Sequence, residues 1–320
     1  MNKLHVVTCI SNPARYKSRY NLYREFEERV KKEPDAIHWT VEVAFDDRPH
    51  EVTDASNPHH LQLRSKHELW HKENMLNLMV QRIPDDGNPI AFVDADVNFQ
   101  KPNWVKETLE ALRHYQVVQM FSHSVDLTYN HELVEHEDLN ILNQKGIIYQ
   151  MLSGKKIFYW KGGDYGRRSL EHGGHPGYAW AWRREALDVV GGLIDFSILG
   201  SADTQMACGL VDDILKVVND NFSENYRRQL AQWGERAKVL RGNVGYVPGL
   251  ITHYWHGAKV QRGYNWRYKI LVDSQFDPER DIRRDSKGLL QLVDDGSERA
   301  RKLRDDLRMY FRSRNEDKID

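Results

Sequence analysis

Cysteine is almost absent from this 320-residue chain, with only Cys9 and Cys208 present. Two thiols cannot build a disulfide framework or a zinc knuckle, so a reducing, cytoplasmic setting is the expectation. Long apolar runs are missing too. No stretch approaches the roughly 18 unbroken apolar residues of a membrane-spanning helix, and no membrane span is expected. The opening Met1-Asn2-Lys3-Leu4-His5-Val6-Val7 reads straight into a strand rather than into the apolar region of a signal peptide. An excess of charge is lacking as well: 46 Lys and Arg stand against 47 Asp and Glu, a net charge of -1. That balance argues against a partner held by bulk positive charge, although a local basic patch is compatible with it. There is no internal repeat, no low-complexity tract and no Pro/Ser linker. Against these absences, 40% hydrophobic and 29% charged residues are ordinary for a globular protein and exclude global disorder. Nine Trp and fifteen Tyr are generous, and aromatics suit flat ligands such as bases and sugars as well as cores.

The first hundred residues alternate strand and helix signals. Residues 4–10 form a short apolar run broken by Ser11-Asn12-Pro13. Leu22, Phe26 and Val30 follow at i, i+4 and i+8, the spacing of a helix face. Trp39, Val41, Val43 and Phe45 alternate with polar residues, which predicts a strand with one buried face ending at Asp46-Asp47. Ser65-Lys66-His67-Glu68 has the form of a capping box and predicts a helix carrying Leu69, Leu76, Val80 and Ile83 inward. Pro89-Ile90-Ala91-Phe92-Val93 predicts a buried strand that stops at Asp94-Ala95-Asp96; a helix bearing Val105, Leu109 and Leu112 and a strand over 117–121 follow. Such alternation predicts an α/β fold, a mostly parallel central sheet with helices on both faces.

The second half is less regular. Residues 153–179 are rich in Gly, Lys, Arg and aromatics and read as a long loop, of the kind that is usually functional or mobile. A helix over 185–190 closes at Gly191-Gly192, and Ser201 reads as the cap of a helix starting near Asp203. Phe222, Tyr226, Leu230, Trp233, Ala237 and Leu240 form an apolar stripe, residues 244–254 look extended, and 297–314 form a charged amphipathic helix.

Asp94 and Asp96 carry the clearest chemistry. At i and i+2 of extended chain, their carboxylates point to one side, at the strand end where open parallel sheets bind ligands. Two hard oxygen donors there suit Mn²⁺ or Mg²⁺ bridging to a diphosphate. A solvated strand end is the plain alternative, since Asp is common in turns and D-x-D alone is a weak motif.

Two enzyme classes place such a pair after a strand. Asp94-Ala95-Asp96-Val97 has the D-x-D-x-[T/V] form of haloacid-dehalogenase-type phosphatases, but the late strand ending in paired Asp is missing. The other resemblance spans most of the chain, and is to GT-A nucleotide-sugar glycosyltransferases of the family-2 kind. Thr8-Cys9-Ile10-Ser11-Asn12 resembles their first nucleotide-binding strand and loop, and Asp46-Asp47 the acidic turn that contacts the base. Phe92-Val93-Asp94-Ala95-Asp96 resembles the motif that holds metal and ribose. The stretch from Gly177-Tyr178-Ala179-Trp180 to Gly191-Gly192 is similar to the acceptor and sugar pocket, and Gly200-Ser201-Ala202-Asp203 stands where a Gly-Glu-Asp-like element occurs. His253-Tyr254-Trp255-His256-Gly257 resembles the late histidine motif that completes metal binding. The pattern, with Phe276-Asp277-Pro278, is also similar to phage-encoded members of the superfamily. Departures are the missing Glu before Asp203 and two histidines for one ligand role.

The resemblance implies a GT-A catalytic domain over 1–260 with a helical extension over 261–320. It further implies transfer of a sugar, with inversion, from a nucleotide-diphosphate donor, UDP-sugar favoured, to a hydroxyl of a glycan or of hydroxymethylated DNA. Asp94 and Asp96 with His253 or His256 would hold Mn²⁺ or Mg²⁺. In an extended segment residues three apart face opposite ways, so only one histidine is expected to ligate. Asp203, at a helix N-terminus that favours its carboxylate, is the candidate base; merely stabilising that helix is the alternative. Thr8, Asn12, Arg15 and Asp46 or Asp47 would meet the nucleotide, or simply make turns. Arg262 and Arg267 would neutralise the leaving diphosphate, or be surface charge. Gly177 and Trp180 would line the sugar pocket. Residues 155–184 interleave basic and aromatic side chains and read first as a lid, with a polyanion or stacked sugar as other occupants. A non-catalytic carbohydrate- or nucleic-acid-binding module is the non-enzyme alternative.

Overall fold

The computed structural model describes residues 3–132, 144–155, 174–264 and 266–317. The lid segment falls mostly on residues 156–173, outside the described residues. No helix among the described residues is long and apolar enough to cross a membrane.

Seven strands form the main sheet: β1 (Leu4–Ser11), β2 (Ala36–Phe45), β3 (His60–Ser65), β4 (Ile90–Val93), β6 (Val117–Gln119), β9 (Ala179–Trp182) and β10 (Val244–Tyr246). Their order is β10-β6-β9-β4-β1-β2-β3. All pairings are parallel except those of β9, which runs antiparallel between β4 and β6. The expected mostly parallel α/β sheet is therefore present. Period-two alternation sends neighbouring residues to opposite layers. Val7, Ile90 and Phe92 pack with α2 (Lys72–Val80), α5 (Arg184–Val190), α6 (Ala202–Val211) and α7 (Glu224–Ala237), while Leu4, Val6, Ala91 and Val93 pack with α1 (Lys17–Val30) and α3 (Trp104–His114).

A smaller sheet, β5 (Val97–Phe99), β7 (His123–Asp126), β8 (Gln144–Lys145) and β11 (Leu250–His253), is ordered β5-β11-β7-β8. The chain steps from the large sheet to the small one at Asp94–Asp96, between β4 and β5. The extended stretch at 244–254 is thus two strands in two sheets rather than one. The remaining elements are α4 (Ile147–Leu152), α8 (Tyr268–Asp273), α9 (Pro278–Asp281), the hairpin β12 (Ile282–Arg284) and β13 (Leu290–Leu292), and α10 (Glu298–Ser313). The region beyond 260 therefore contains a hairpin as well as helices, and its Leu303, Leu307, Tyr310 and Phe311 join the same core as Val7 and Trp39.

Some local readings hold and others are corrected. The stripe from Phe222 to Leu240 is wholly buried, and Gly191 closes α5 with the positive φ of 74° that glycine tolerates. Strand β2, read as half buried, is buried on both faces from Trp39 to Phe45. Its polar alternates are used internally. Thr40 meets the Tyr23 hydroxyl at 2.7 Å, and Glu42 accepts the Glu51, Val52 and Thr53 N–H groups at 2.7, 3.1 and 2.9 Å. The capping box at 65–68 does not form: α2 starts at Lys72, and the Ser65 hydroxyl turns to its own loop at His67. Likewise Ser201 precedes α6 without capping it, because its hydroxyl receives the Arg267 guanidinium.

Candidate functional site

A cavity of about 740 Å³ opens at the carboxyl ends of β1 and β4. That volume lies within the range of small-molecule sites. Two clusters of charged side chains face it.

The first cluster follows from strand register. Pairing β11 with β5 sets His253 opposite Val97, one residue past Asp96, and pairing β11 with β7 sets it opposite Asp126. His253 consequently donates Nδ1–H to Asp126 at 2.7 Å and turns Nε2 toward Asp96 at 3.7 Å. The strand ends there, so the alternation of a paired strand does not govern 254–256, and both histidines, not one, reach the same carboxylate. His256 Nε2 lies 3.0 Å from Asp96 and 3.2 Å from His253 Nε2. Arg262 donates to His256 Nε2 at 3.0 Å, so that nitrogen presents its lone pair and the ring proton sits on Nδ1; a metal ion bound there would take the place of the Arg262 contact.

These donors fit a metal ion. Asp96, His253 and His256 each offer a ligand atom within 4.8 Å of the others. A lone pair of His256 facing a carboxylate is repulsive unless a proton or cation lies between them, and the second Asp96 oxygen is buried with no hydrogen-bond partner. Burial pulls the His253 imidazolium down, yet Asp96 and Asp126 hold its pKa up, at about 9. Burial likewise opposes the Asp96 charge, but His253 and His256 hold that carboxyl well below the usual range. Two imidazoles beside one carboxylate suit a transition-metal ion better than Mg²⁺, which prefers all-oxygen shells.

The second cluster begins two residues earlier. Asp94 is ion-paired with Lys72, the first residue of α2, rather than joined to the histidines. Burial raises its pKa; Lys72 opposes the rise and the Asp96 charge adds to it. The adjacent Glu73 is buried, with its carboxylate accepting the Trp70 indole N–H at 3.0 Å. Burial lifts Glu73 to about 8 against the pull of Lys72, helped by the charges of Asp203 and Asp94. Asp203 sits in the first turn of α6 and accepts the Thr204 N–H at 2.7 Å. Its other oxygen lies so near Gly177 that a Cβ there would stand 2.7 Å away. Glycine at 177 is what lets this carboxylate into the cavity.

The remaining expected residues divide. Arg262 and Arg267 line the cavity; Arg267 bonds Ser201 and the Tyr310 hydroxyl and lies over the Tyr264 ring at 4.8 Å. Burial pushes the Tyr264 phenol up, and these two arginines more than offset it. Asn12 lines the cavity, its amide bracing the loop at Tyr16. Thr8 does not: its hydroxyl is buried and donates to the Val93 carbonyl at 3.2 Å, tying β1 to β4. Arg15, at φ 60°, pairs with Glu51 on a neighbouring cleft, and Asp46 and Asp47 stand on an exposed turn away from the cavity. Trp180 also falls outside, its indole N–H donating to Pro176 at 2.7 Å, and Tyr178 takes the wall position instead.

No family profile and no curated protein matches this chain. Solved structures do resemble it. The catalytic domain of Drosophila β1,4-galactosyltransferase 7, in complex with xylobiose, is 10% identical, covers 91% of this chain and 93% of its own, and has a TM-score of 0.38. A mannosyltransferase of Pyrobaculum calidifontis in complex with GDP-Man and Mn²⁺ is 13% identical, covers 85% of this chain and 62% of its own, and scores 0.40. Residues 1–349 of TarS from S. aureus are 9% identical over 85% of this chain and 65% of theirs, scoring 0.35. At these identities and scores, function has to rest on this chain's own residues.

Sequence reasoning missed Lys72, Glu73, Asp126 and the pair Arg19 and Glu316, and within the pocket segment it singled out Trp180 where Tyr178 lines the cavity. For Lys72 and Glu73 a signal existed: with Asn74 they stand in the turn before the apolar Met75-Leu76, so the buried part of the helix begins with charge. Asp126 and Glu316 had none, because only strand pairing within the small sheet and the docking of the segment after α10 bring them to the histidines.

Proposed function

We propose that this protein is a metal-dependent glycosyltransferase that moves a sugar from a nucleotide-diphosphate donor to an acceptor hydroxyl with inversion. The observation that carries the reading is the convergence of Asp96, His253 and His256 in a cavity that also holds Arg262 and the Asp203 carboxylate. Those three residues would hold Mn²⁺. When bound, the ion neutralises negative charge on a leaving diphosphate. Arg262 and Arg267 add fixed positive charge on the same wall, and guanidinium groups match phosphate oxygens bidentately. Lys72 holds Asp94 facing the cavity, where its carboxylate accepts hydroxyls of the donor's ribose or sugar. Asp203, oriented by the Thr204 N–H, takes the acceptor hydroxyl proton as the acceptor oxygen bonds to the anomeric carbon and the diphosphate departs from the opposite face. Gly177 leaves room for that approach.

A phosphatase of the haloacid-dehalogenase type is disfavoured by the same geometry. Its second Asp must be free to trade a proton, whereas here two imidazoles engage Asp96. The donor expected is a UDP-sugar, and glycans and hydroxymethylated DNA are the acceptors to try. Incubation with Mn²⁺, a nucleotide-sugar panel and each acceptor, read by mass spectrometry, should show an acceptor gain of one sugar and release of the nucleoside diphosphate. Neither transfer nor donor hydrolysis with any donor would overturn the reading.

A further inference from the structure

The two histidines of the candidate metal site are held from behind by different parts of the chain. Metal-ligating histidines characteristically give their second ring N–H to a carboxylate, which fixes tautomer and ring orientation. For His253 that partner is Asp126, a neighbour in the same sheet. For His256 the N–H is on Nδ1, because Nε2 accepts from Arg262. The carboxylate nearest His256 Nδ1, at 3.5 Å and just short of a hydrogen bond, belongs to Glu316, in the segment that follows α10, and this buried nitrogen makes no hydrogen bond.

Glu316 is placed there by several independent contacts. Its side chain is 1% exposed. One oxygen receives the Arg19 guanidinium at 2.7 Å and lies 2.8 Å from Arg314, and the other receives a second Arg19 N–H. These cations, with His256, hold its carboxyl well below the ordinary range despite burial. The segment is pinned on both sides of Glu316. Asn315 donates its N–H to the Tyr16 hydroxyl at 2.9 Å, and Asp317 accepts the Lys17 and Ser18 N–H groups at 2.7 and 2.9 Å at the start of α1. The chain beside His256 is shaped to receive it: a Cβ on Gly257 would come within 2.8 Å of the Glu316 Cα, and Gly257 has φ 91°. A glycine next to a ligand, with space only for another segment's backbone, is a docking contact.

We propose that Glu316 is the positioning residue of His256, so that residues 314–317 are a structural part of the metal site and the site is complete only while that segment is docked on α1 and Gly257. This rests on the metal-site reading above. It predicts that metal affinity depends on residues some 60 positions away in sequence from the ligand they orient.

The test measures Mn²⁺ and Co²⁺ binding to the full chain by calorimetry and by the visible absorption of Co²⁺, alongside thermal melts. Glu316→Gln, which keeps shape and loses the charge, should weaken affinity about ten- to a hundredfold, the range for lost outer-shell partners. Glu316→Asp should recover part of that loss. Because Glu316→Gln also leaves Arg19 and Arg314 without their counter-charge, two variants avoid the buried cluster. Gly257→Ala, which obstructs docking, and Asp317→Ala, which unties it, should each lower affinity and alter the Co²⁺ spectrum while the melt stays cooperative. Unchanged affinity and spectrum in folded Glu316→Gln and Gly257→Ala would overturn the proposal. A wild-type chain that binds neither ion would overturn the metal reading, and the proposal with it; the two failures are told apart by the wild-type titration.

Discussion

Asp94 and Asp96 are separated by a single alanine, yet they belong to two different regions of the cavity. Asp96 enters a network of His253, His256 and Asp126 that keeps it ionised. Asp94 enters one of Lys72, Glu73 and Asp203, where burial and like charges push carboxyls upward and a single lysine opposes them. A short polar motif therefore does not carry a role by itself. The charge that each member meets after folding assigns it, and here the division runs along the step from the large sheet to the small one. The first region gathers imidazoles around an ionised carboxylate, the second gathers carboxyl groups around one lysine.

Replacing one member of each region separates them most sharply. Asp96→Ala should abolish Mn²⁺ binding, a loss beyond the roughly hundredfold of an outer-shell change, whereas Asp94→Ala should leave metal affinity within a few-fold. Equal losses in calorimetry would erase the distinction. Next in size, Asp203→Asn should lower kcat by ~10²–10⁴-fold, the usual worth of a general base, with metal and donor affinity retained. A variant that loses donor affinity instead would move Asp203 from base to donor contact. Gly177→Ala, whose methyl would press on that same carboxylate, should lower kcat less, by up to about a hundredfold, with little change in melting temperature.

The smallest effect is a pH slope. Glu73 titrates near 8 in the folded chain against an ordinary 4.5, so the folded state holds a proton that the unfolded state releases. Its stabilising contribution is whole below about pH 4.5 and is lost as pH rises through 8. His71 has the opposite sign. Burial lowers it to about 4, so its contribution is present above pH 6.5 and fades as pH falls toward 4. Glu73→Gln should accordingly remove only the Glu73 share of the slope in urea-unfolding stability between pH 5 and 8, leaving the His71 decline below pH 6.5 and the loss that the raised His253 adds above it. A slope identical to the wild type's in that variant would show that Glu73 is ionised in the fold.

The site was legible in the sequence only where chemistry and local geometry coincide. Asp94 and Asp96 announce themselves because acid follows a four-residue apolar strand, and His253 and His256 because they close a later one. Extended geometry, however, predicted one histidine turned away, and the end of β11 at His253 reverses that. Thr8, Arg15, Asp46, Asp47 and Trp180 were credible by position along strands whose ends lie near the cavity. Each is claimed by a local partner or by solvent, a competition that sequence does not display.

What the amino-acid order determined on its own is the periodicity: apolar residues at two or at 3.6 per repeat select strand or helix, and their alternation selects a parallel sheet covered on both faces. Those preferences act between residues a few positions apart. What only the tertiary structure decided is which charges meet. Lys72 with Asp94, Asp126 with His253, and Glu316 with His256 and Arg19 are joined across 22, 127, 60 and 297 positions. Electrostatic interaction depends on distance and surroundings in space, and no local pattern encodes either.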